Sequence, residues 1–252
     1  MPGEQGKTVA HGLILRETET KETDKILTVL TAEMGKIPVI ARGARRKNSR
    51  LAAACQLLAW SEMTLYKRGN WYYLDSADPE ELFVGLQKDL VRFALAAYLA
   101  ELTEFVTGEE NPAPELLRLL LNGLYALAKL NKDPALVKPA FTFRLLALAG
   151  FEPMIDGCAV CGAETAQSPV LDVVQGVVHC RKCGGPGGES FPLSAACMTA
   201  LEHILHGPDR KLYSFTLMPE DLRLLDRAAE GFAAAQLERS FRTLGYYKAI
   251  LI

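Results

Sequence analysis

The chain has 252 residues, of which 49% are hydrophobic and 23% are charged, a composition typical of a globular protein that folds around its own core without disulfides. No uninterrupted apolar run approaches the ~20 residues that a membrane-spanning helix needs, and residues 1–25 lack the basic start and apolar block of a secretory signal, so we expect a cytoplasmic protein. The net charge of −2, from 28 basic and 30 acidic side chains, argues on average against a strongly basic nucleic-acid binder.

Short runs of β-forming residues, separated by turn residues, occupy the first part of the chain. The predicted strands are 8–16, 25–31, 36–42, 57–67 and 71–77. Met34-Gly35 and Arg68-Gly69-Asn70 supply turns between neighbouring strands. Five strands in about 70 residues indicate a small closed barrel, and the pattern fits both an OB fold and an SH3-like barrel.

After Pro79 the sequence favours helices. The apolar periodicity predicts helices over 88–106 and 115–130. Asp133-Pro134 is typical of an N-cap followed by the first helical residue, and predicts a helix to about Gly150 with Pro139 in its early turns or at a kink. Further helices are predicted from Ser194 to His206 and from Pro219 onward.

The charge is unevenly distributed along the chain. Residues 1–79 contain 12 basic and 9 acidic side chains, a net charge of +3, whereas the remainder contains 16 and 21, a net charge of −5. Residues 34–61 contain no carboxylate and six cations. These are Lys36, Arg42, Arg45, Arg46, Lys47 and Arg50. Their position between the third and fourth strands, beside Gly43 and Asn48-Ser49, predicts a basic loop.

Four of the six cysteines form two Cys-x2-Cys pairs, Cys158 with Cys161 and Cys180 with Cys183, separated by 18 residues. This spacing is typical of a four-thiolate Zn²⁺ site. Four thiolates leave no open coordination position, so the predicted ion is structural. Disulfides and a redox pair are disfavoured alternatives, and iron can take the place of zinc in such a site.

Several smaller features carry weaker expectations. We expect Cys55 and Cys197 to be buried. Residues 170–179 are predicted to form the hairpin that connects the two cysteine pairs, with His179 on its surface, although His179 could substitute as a metal ligand. Gly184–Gly188 is interpreted as a flexible exit from the second cysteine pair. The sequence has no phosphate-binding loop and no zinc-deaminase pattern, so no catalytic residue is assigned and the protein is not expected to be an enzyme.

Aromatic residues cluster around the fifth strand. Trp71, Tyr72 and Tyr73 are consecutive, and because alternate strand residues face opposite sides, one or two of them could offer a stacking surface for bases. Packing in the barrel is an equally good interpretation. Trp60 and Tyr66 are assigned to packing.

In sequence, the chain resembles the RecO family of bacterial DNA repair and recombination proteins. The matching segments are GLILR (12–16), DKILTVLT (24–31) with GK (35–36), ARGARR (41–46), SRL (49–51), FRLL (143–146) and GFEP (150–153), followed by the cysteine pairs. The resemblance covers nearly the whole chain in order.

The resemblance implies an α+β protein: an N-terminal OB-fold barrel over 1–79, and a helical domain over 80–252 with a zinc-binding insertion at 156–186. The implied activity is binding of single- and double-stranded DNA, annealing of complementary strands and, with RecR, loading of RecA onto DNA coated by single-strand-binding protein. Contact with the acidic C-terminal tail of that protein is placed on the helical domain. The implied location is the bacterial cytoplasm, at the nucleoid.

The residues themselves suggest an electrostatic mechanism. Six cations on one side of a barrel can neutralise phosphates and release counterions, which gives sequence-independent, salt-sensitive binding. The alternative is a protein-interaction scaffold whose barrel does not bind DNA and whose cations are only solvated. A metal-dependent nuclease is disfavoured because no carboxylate cluster suggests one.

Overall fold

The computed structural model describes residues 6–184 and 188–251, so Gly184–Gly188, the predicted flexible exit, lies partly outside the described residues. It divides into two compact units. One runs from the barrel to Lys129 and includes the segment from Tyr246, and the other is Leu130–Gly245. No helix within the described residues is long and apolar enough to cross a membrane.

A closed five-stranded barrel forms the start of the first unit. Its strands are β1 (Thr8–Thr20), β2 (Asp24–Thr31), β3 (Gly35–Ala41), β4 (Trp60–Arg68) and β5 (Trp71–Glu81). The strand order is β1-β2-β3-β5-β4, with β4 pairing back to β1. The β3–β5 contact is parallel and the other pairings are antiparallel. This topology resolves the two barrel alternatives in favour of the OB fold.

The barrel core follows from strict alternation of side chains along the strands. In β3, Ile37, Val39 and Ala41 are fully buried, whereas the residues between them are half-buried on the outer surface. The inner face of β4 contributes Met63 and Leu65 in the same way. Period-2 burial is what a barrel with one solvated face requires.

Three strand boundaries differ from the sequence-based prediction by more than one residue. β1 continues to Thr20 because residues 17–20 pair with β2 as an exposed arm that has no apolar alternation to mark it. β5 continues to Glu81 by pairing with the start of β4. β4 begins at Trp60, because Leu58 has a backbone φ of +66°, outside the strand region.

Helices complete the first unit: α1 (Val84–Gln87), α2 (Leu90–Val106) and α3 (Pro114–Ala128). The Asp89 side chain caps α2 by accepting hydrogen bonds from the backbone N–H groups of Val91 and Arg92 at 3.0 and 3.1 Å. The turn between α2 and α3 holds the β2–β3 hairpin, because the Ala113 N–H donates to the Ala32 carbonyl at 3.1 Å.

The second unit combines helices with a small sheet. Its helices are α4 (Pro134–Leu148), α5 (Ala195–His206), a 3₁₀ turn (Asp209–Lys211) and α6 (Pro219–Leu237), and α7 (Arg242–Ile250) follows at the unit boundary. Its strands are β6 (Pro169–Asp172), β7 (Val177–Cys180) and β8 (Ser190–Pro192), in the order β7-β6-β8. The predicted caps are confirmed: Asp133 begins α4, and the Ser194 hydroxyl accepts from the Cys197 N–H at 3.0 Å.

Candidate nucleic-acid interface and metal centre

The basic loop, residues 42–59, connects β3 to β4 and is fixed to the barrel at both ends. At its start, the Arg45 N–H donates to the Thr23 carbonyl at 2.9 Å. At its end, the Leu58 N–H donates to the Ile14 carbonyl at 2.9 Å, and the Ile14 N–H donates to the Ala59 carbonyl at 3.1 Å. Because main-chain bonds hold both ends, substitution of outward-facing side chains leaves the frame of the loop in place.

Apolar residues anchor the inner side of the basic loop. Ala44, Ala54 and Cys55 are at most 2% exposed and belong to the core cluster of the barrel. The Lys25 ammonium donates to the Cys55 carbonyl at 3.0 Å across this inner side. The loop is therefore two-sided, with small apolar residues against the barrel and cations toward solvent. This arrangement confirms the expected burial of Cys55, and Cys197 is buried as well.

Asp24 fixes the entry to the loop. Its carboxylate accepts a hydrogen bond from the Gly43 N–H at 2.8 Å. That bond, with the nearby charges of Lys21 and Arg42, lowers the pKa of Asp24 below its ordinary value. A lowered carboxyl pKa means that the bond persists throughout neutral pH and is lost only in acid. Gly43 itself has a φ of +66°, a conformation that glycine adopts without strain.

Besides Arg45, four of the six predicted DNA-binding cations are exposed on the loop: Arg42, Arg46, Lys47 and Arg50. Within the described part of the chain they form no ion pair with a carboxylate. Exposed guanidinium and ammonium groups without an internal counter-ion are available to phosphates.

The other two predicted cations are engaged within the protein. Arg45 forms an ion pair with Glu19 at 2.8 Å on the β1 arm, and its guanidinium also donates to the Glu22 carbonyl at 3.3 Å. Lys36 lies on β3 and its ammonium donates to the Glu104 carbonyl of α2 at 2.8 Å. The structure thus places five of the six cations on one loop and gives Lys36 an internal partner.

Outward-facing aromatic rings continue the surface beside the loop. Tyr73 of β5 stacks on Tyr66 of β4, with ring centroids 5.3 Å apart and planes at 15°. The Arg42 guanidinium carbon lies 4.9 Å from the Tyr73 ring centroid. Tyr72 packs instead against the barrel core. Sequence reasoning identified Tyr73 but assigned Tyr66 to packing, because only the cross-strand register brings these two residues together.

The second unit contains the candidate metal centre. The Sγ atoms of Cys158, Cys161, Cys180 and Cys183 all lie within 4.8 Å of one another. The β6–β7 hairpin supplies Cys180 at its end, and the predicted hairpin between the cysteine pairs is confirmed. Tetrahedral coordination at about 2.3 Å per thiolate requires sulfur atoms about 3.8 Å apart. The four thiols are therefore close enough to hold a metal ion.

The backbone around the cysteines has the shape of two tight knuckles. Gly162 and Gly184 follow their cysteine pairs with φ values of +71° and +66°, as expected for residues that relieve a tight turn. Backbone N–H groups point at sulfur: Cys180 N–H donates to Cys158 Sγ at 3.2 Å. Hydrogen bonds from the backbone of Cys161 and Cys180 lower the pKa of Cys158 to about 6. This thiol is thereby prepared to act as a thiolate ligand.

The expectation that His179 lies on the surface is wrong. The side chain is 3% exposed, and its Nδ1 lies 3.0 Å from the Cys180 carbonyl oxygen. Along β7, Val178 and Cys180 are also buried, so the alternation that would turn one residue outward does not apply here. The reason is that both faces of this short hairpin are covered. Within the described residues, His179 is not a member of the metal-binding group.

Comparison with known proteins supports the interpretation of both units. A family model described as "Recombination protein O N terminal" matches residues 7–83, and one described as "Recombination protein O C terminal" matches residues 87–245. Together they cover nearly the whole chain. The chain belongs to the RecO family of DNA repair proteins.

Individual RecO relatives match over almost their full length. The DNA repair protein RecO of Acetivibrio thermocellus is 32% identical over 239 residues, covering 95% of both chains. The protein of the same name from Symbiobacterium thermophilum is 32% identical over 239 residues, covering 92% of this chain and 93% of the relative. The N-terminal RecO family model spans the strands of the barrel, and the C-terminal RecO family model spans most of the helices and the cysteine cluster.

Proposed function

We propose that the protein binds single- and double-stranded DNA through the basic loop and anneals complementary strands. The observation that carries the proposal is the group of four exposed cations on a loop that the barrel holds in place, none of them paired with a carboxylate in the described residues. Phosphate contacts of this kind give affinity without sequence preference, because they do not touch base edges.

Annealing follows from the same chemistry. Two strands repel each other through their phosphates, and a cationic surface that holds both backbones reduces that repulsion. Since the base edges stay free, complementary strands can pair while bound. The role of the protein is then to bind and position DNA, without a covalent step, and we assign no catalytic residue.

The four cysteines are proposed to bind one structural Zn²⁺. Thiolates are soft ligands that suit zinc, and a complete set of four thiolates leaves no position for a reactive water. When bound, the ion would supply the link between the two knuckles that a hydrophobic core this small does not supply. Cys158 and Cys180 are buried and Cys161 is exposed, so the site lies at the surface of its unit.

The proposal includes the partners and domain roles that the family resemblance implies. The N-terminal domain, residues 1–79, is the DNA-binding domain. The helical remainder, with its cysteine insertion, contacts the acidic C-terminal tail of single-strand-binding protein, and the protein acts together with RecR. In this scheme the protein assists RecA indirectly, in the bacterial cytoplasm at the nucleoid.

Titration of labelled single-stranded and duplex DNA at two salt concentrations tests the DNA-binding proposal. We expect binding to both near physiological salt and a clear loss of affinity at the higher salt. If the barrel is only a scaffold for protein contacts, neither DNA form binds at physiological salt. That result would overturn the proposed function.

A further inference from the structure

We propose that Tyr66 and Tyr73, with Arg42, form a base-stacking subsite that is specific for single-stranded nucleic acid. We call these three residues the aromatic platform. The inference rests on the proposed function, because it names the form of DNA that the loop-bearing face prefers. The inference goes beyond that function because it adds a contact with bases, whereas the proposed mechanism uses only phosphate contacts.

The barrel register places the platform on one outer face. Tyr66 and Tyr73 are direct cross-strand partners in the β4–β5 pair. Tyr73 is also in register with Ile40 of β3, two residues before Arg42. The inward neighbours Leu65 and Leu74 are buried, which turns both tyrosines outward, and both rings are partly exposed. The three groups therefore follow one line across neighbouring strands.

The platform and the basic loop form one continuous surface. Arg42 is both the first residue of the loop and the cation over the Tyr73 ring. The Arg46 side chain lies against Gly43, the residue that follows Arg42, because its Nε would be 3.1 Å from a Cβ at that glycine. A strand whose phosphates lie on the loop would thus have its next bases beside the tyrosine rings. A guanidinium stacked on a ring keeps its N–H edges free, so Arg42 can hold a phosphate in the same position.

The chemistry of these residues indicates an unpaired strand. A tyrosine ring stacks on any base, and each such stack contributes a sequence-tolerant part of the affinity. In a duplex, base faces are already covered by neighbouring base pairs, so the platform offers the duplex nothing. The surface should hold single strands more tightly than duplexes and should release two strands once they have paired. This preference suits an annealing protein.

Tyr72 illustrates what a ring without this role looks like. The Tyr72 ring packs against the barrel core. The ammonium of Lys67 lies 4.9 Å from the centroid of this ring and is paired with Glu110 at 2.5 Å. Tyr73 contacts an arginine that has no carboxylate partner in the described part of the chain. The two adjacent tyrosines therefore differ: Tyr72 packs on the core, whereas Tyr73 lies in a surface stack between Arg42 and Tyr66. In this stack the second face of the partly exposed Tyr66 ring is the one left to a base.

The test measures the affinity of the protein for two labelled single strands by fluorescence anisotropy. The strands have equal length and equal numbers of phosphates, but one consists of thymidine nucleotides and the other is abasic. The wild-type protein should bind the thymidine strand about tenfold more tightly, the effect expected for one stacked base. The double variant Tyr66→Leu, Tyr73→Leu should bind both strands equally, at the wild-type affinity for the abasic strand. The Phe pair Tyr66→Phe, Tyr73→Phe keeps the rings and should keep the difference.

Tyr125→Leu is the matched control, because Tyr125 is a 50% exposed tyrosine on α3 of the same unit. It should leave the tenfold difference intact. Equal binding of the two strands by the wild type would overturn the aromatic platform, and so would an undiminished difference between the strands in a folded Leu pair. In either case, salt-sensitive binding of the abasic strand would still support the proposed function. Failure of the wild type to bind either strand would overturn both. If the Leu pair does not fold, the single variant Tyr66→Leu provides the same comparison, because it removes the outer ring of the stack and keeps the contact of Arg42 with Tyr73.

Discussion

Removal of the free cations of the basic loop should weaken DNA binding by a calculable amount. The variant combines Arg46→Ala, Lys47→Ala and Arg50→Ala, because these side chains are exposed and have no carboxylate partner in the described residues. Arg42 and Arg45 are kept, since their substitution would also remove the contacts with Tyr73 and Glu19.

The magnitude follows from counterion release. Each phosphate contact to a single strand contributes about 0.7 to the slope of log K against log salt concentration. Loss of three contacts should therefore flatten the slope by about 2 and weaken binding about 50-fold at ~0.15 M salt. The loop should remain folded, because its turns are held by main-chain bonds such as Ser49 N–H to the Arg46 carbonyl at 3.0 Å.

The assay is fluorescence anisotropy on a labelled single strand over a series of salt concentrations. A charge-matched control removes three exposed cations of the second unit, with Arg210→Ala, Arg223→Ala and Arg227→Ala. The control should keep the wild-type slope if location matters more than net charge. An unchanged slope in the loop variant, or an equal change in both variants, would refute the reasoning.

Three further predictions concern the framework. Cys180→Ser should lower the bound zinc from one ion per chain to well below one, whereas the control Cys55→Ser should keep one ion per chain. Equal zinc contents of the two variants in metal analysis would contradict the four-cysteine assignment. Lys138→Met should lower the free energy of unfolding in urea by about 3 kcal/mol, since the Lys138 side chain is 4% exposed and its ammonium lies 3.0 Å from Asp226. A loss below about 1 kcal/mol would speak against a stabilising ion pair. Gly35→Ala should destabilise by clearly more than the ~1 kcal/mol expected for Gly69→Ala. Both have φ above +60°, but only at Gly35 would the Cβ meet a backbone oxygen, at 1.9 Å, so equal losses in urea unfolding would contradict that explanation.

Much of the fold could be predicted from local sequence. The period-2 alternation of β3 and the turn residues around it locate a barrel strand to within one residue. Asp133-Pro134 marks the start of α4 correctly, and the helix continues through Pro139, which lies inside it. These features depend on neighbours in the chain, and a sequence displays such neighbours directly.

The strand register could not be predicted in the same way. Whether five strands close as an OB fold depends on the parallel contact of β3 with β5, which brings Ile40 and Tyr73 together from distant parts of the chain. The same register creates the Tyr66–Tyr73 stack. No local pattern distinguishes Tyr73 on the outer face from Tyr72 against the core until the register is known.

The candidate sites show the same division. Cys-x2-Cys spacing predicted a metal cluster because each pair is local and the connecting hairpin is short. Charge counting predicted the basic loop, but it assigned the same role to Lys36, whose ammonium is bound by the distant Glu104 carbonyl. Burial of His179 was missed because it depends on how both faces of a short hairpin are covered, not on the residue type.

Strand annealing by the purified protein tests the proposed function most directly. Two complementary oligonucleotides, one with a fluorophore and one with a quencher, are mixed with the wild type or with the Arg46, Lys47 and Arg50 variant, on naked DNA and on DNA coated by single-strand-binding protein. We expect rapid annealing by the wild type on both substrates and strongly reduced annealing by the variant on naked DNA. Wild-type annealing no faster than the spontaneous rate, or full activity in the loop variant, would contradict the proposed role of the basic loop.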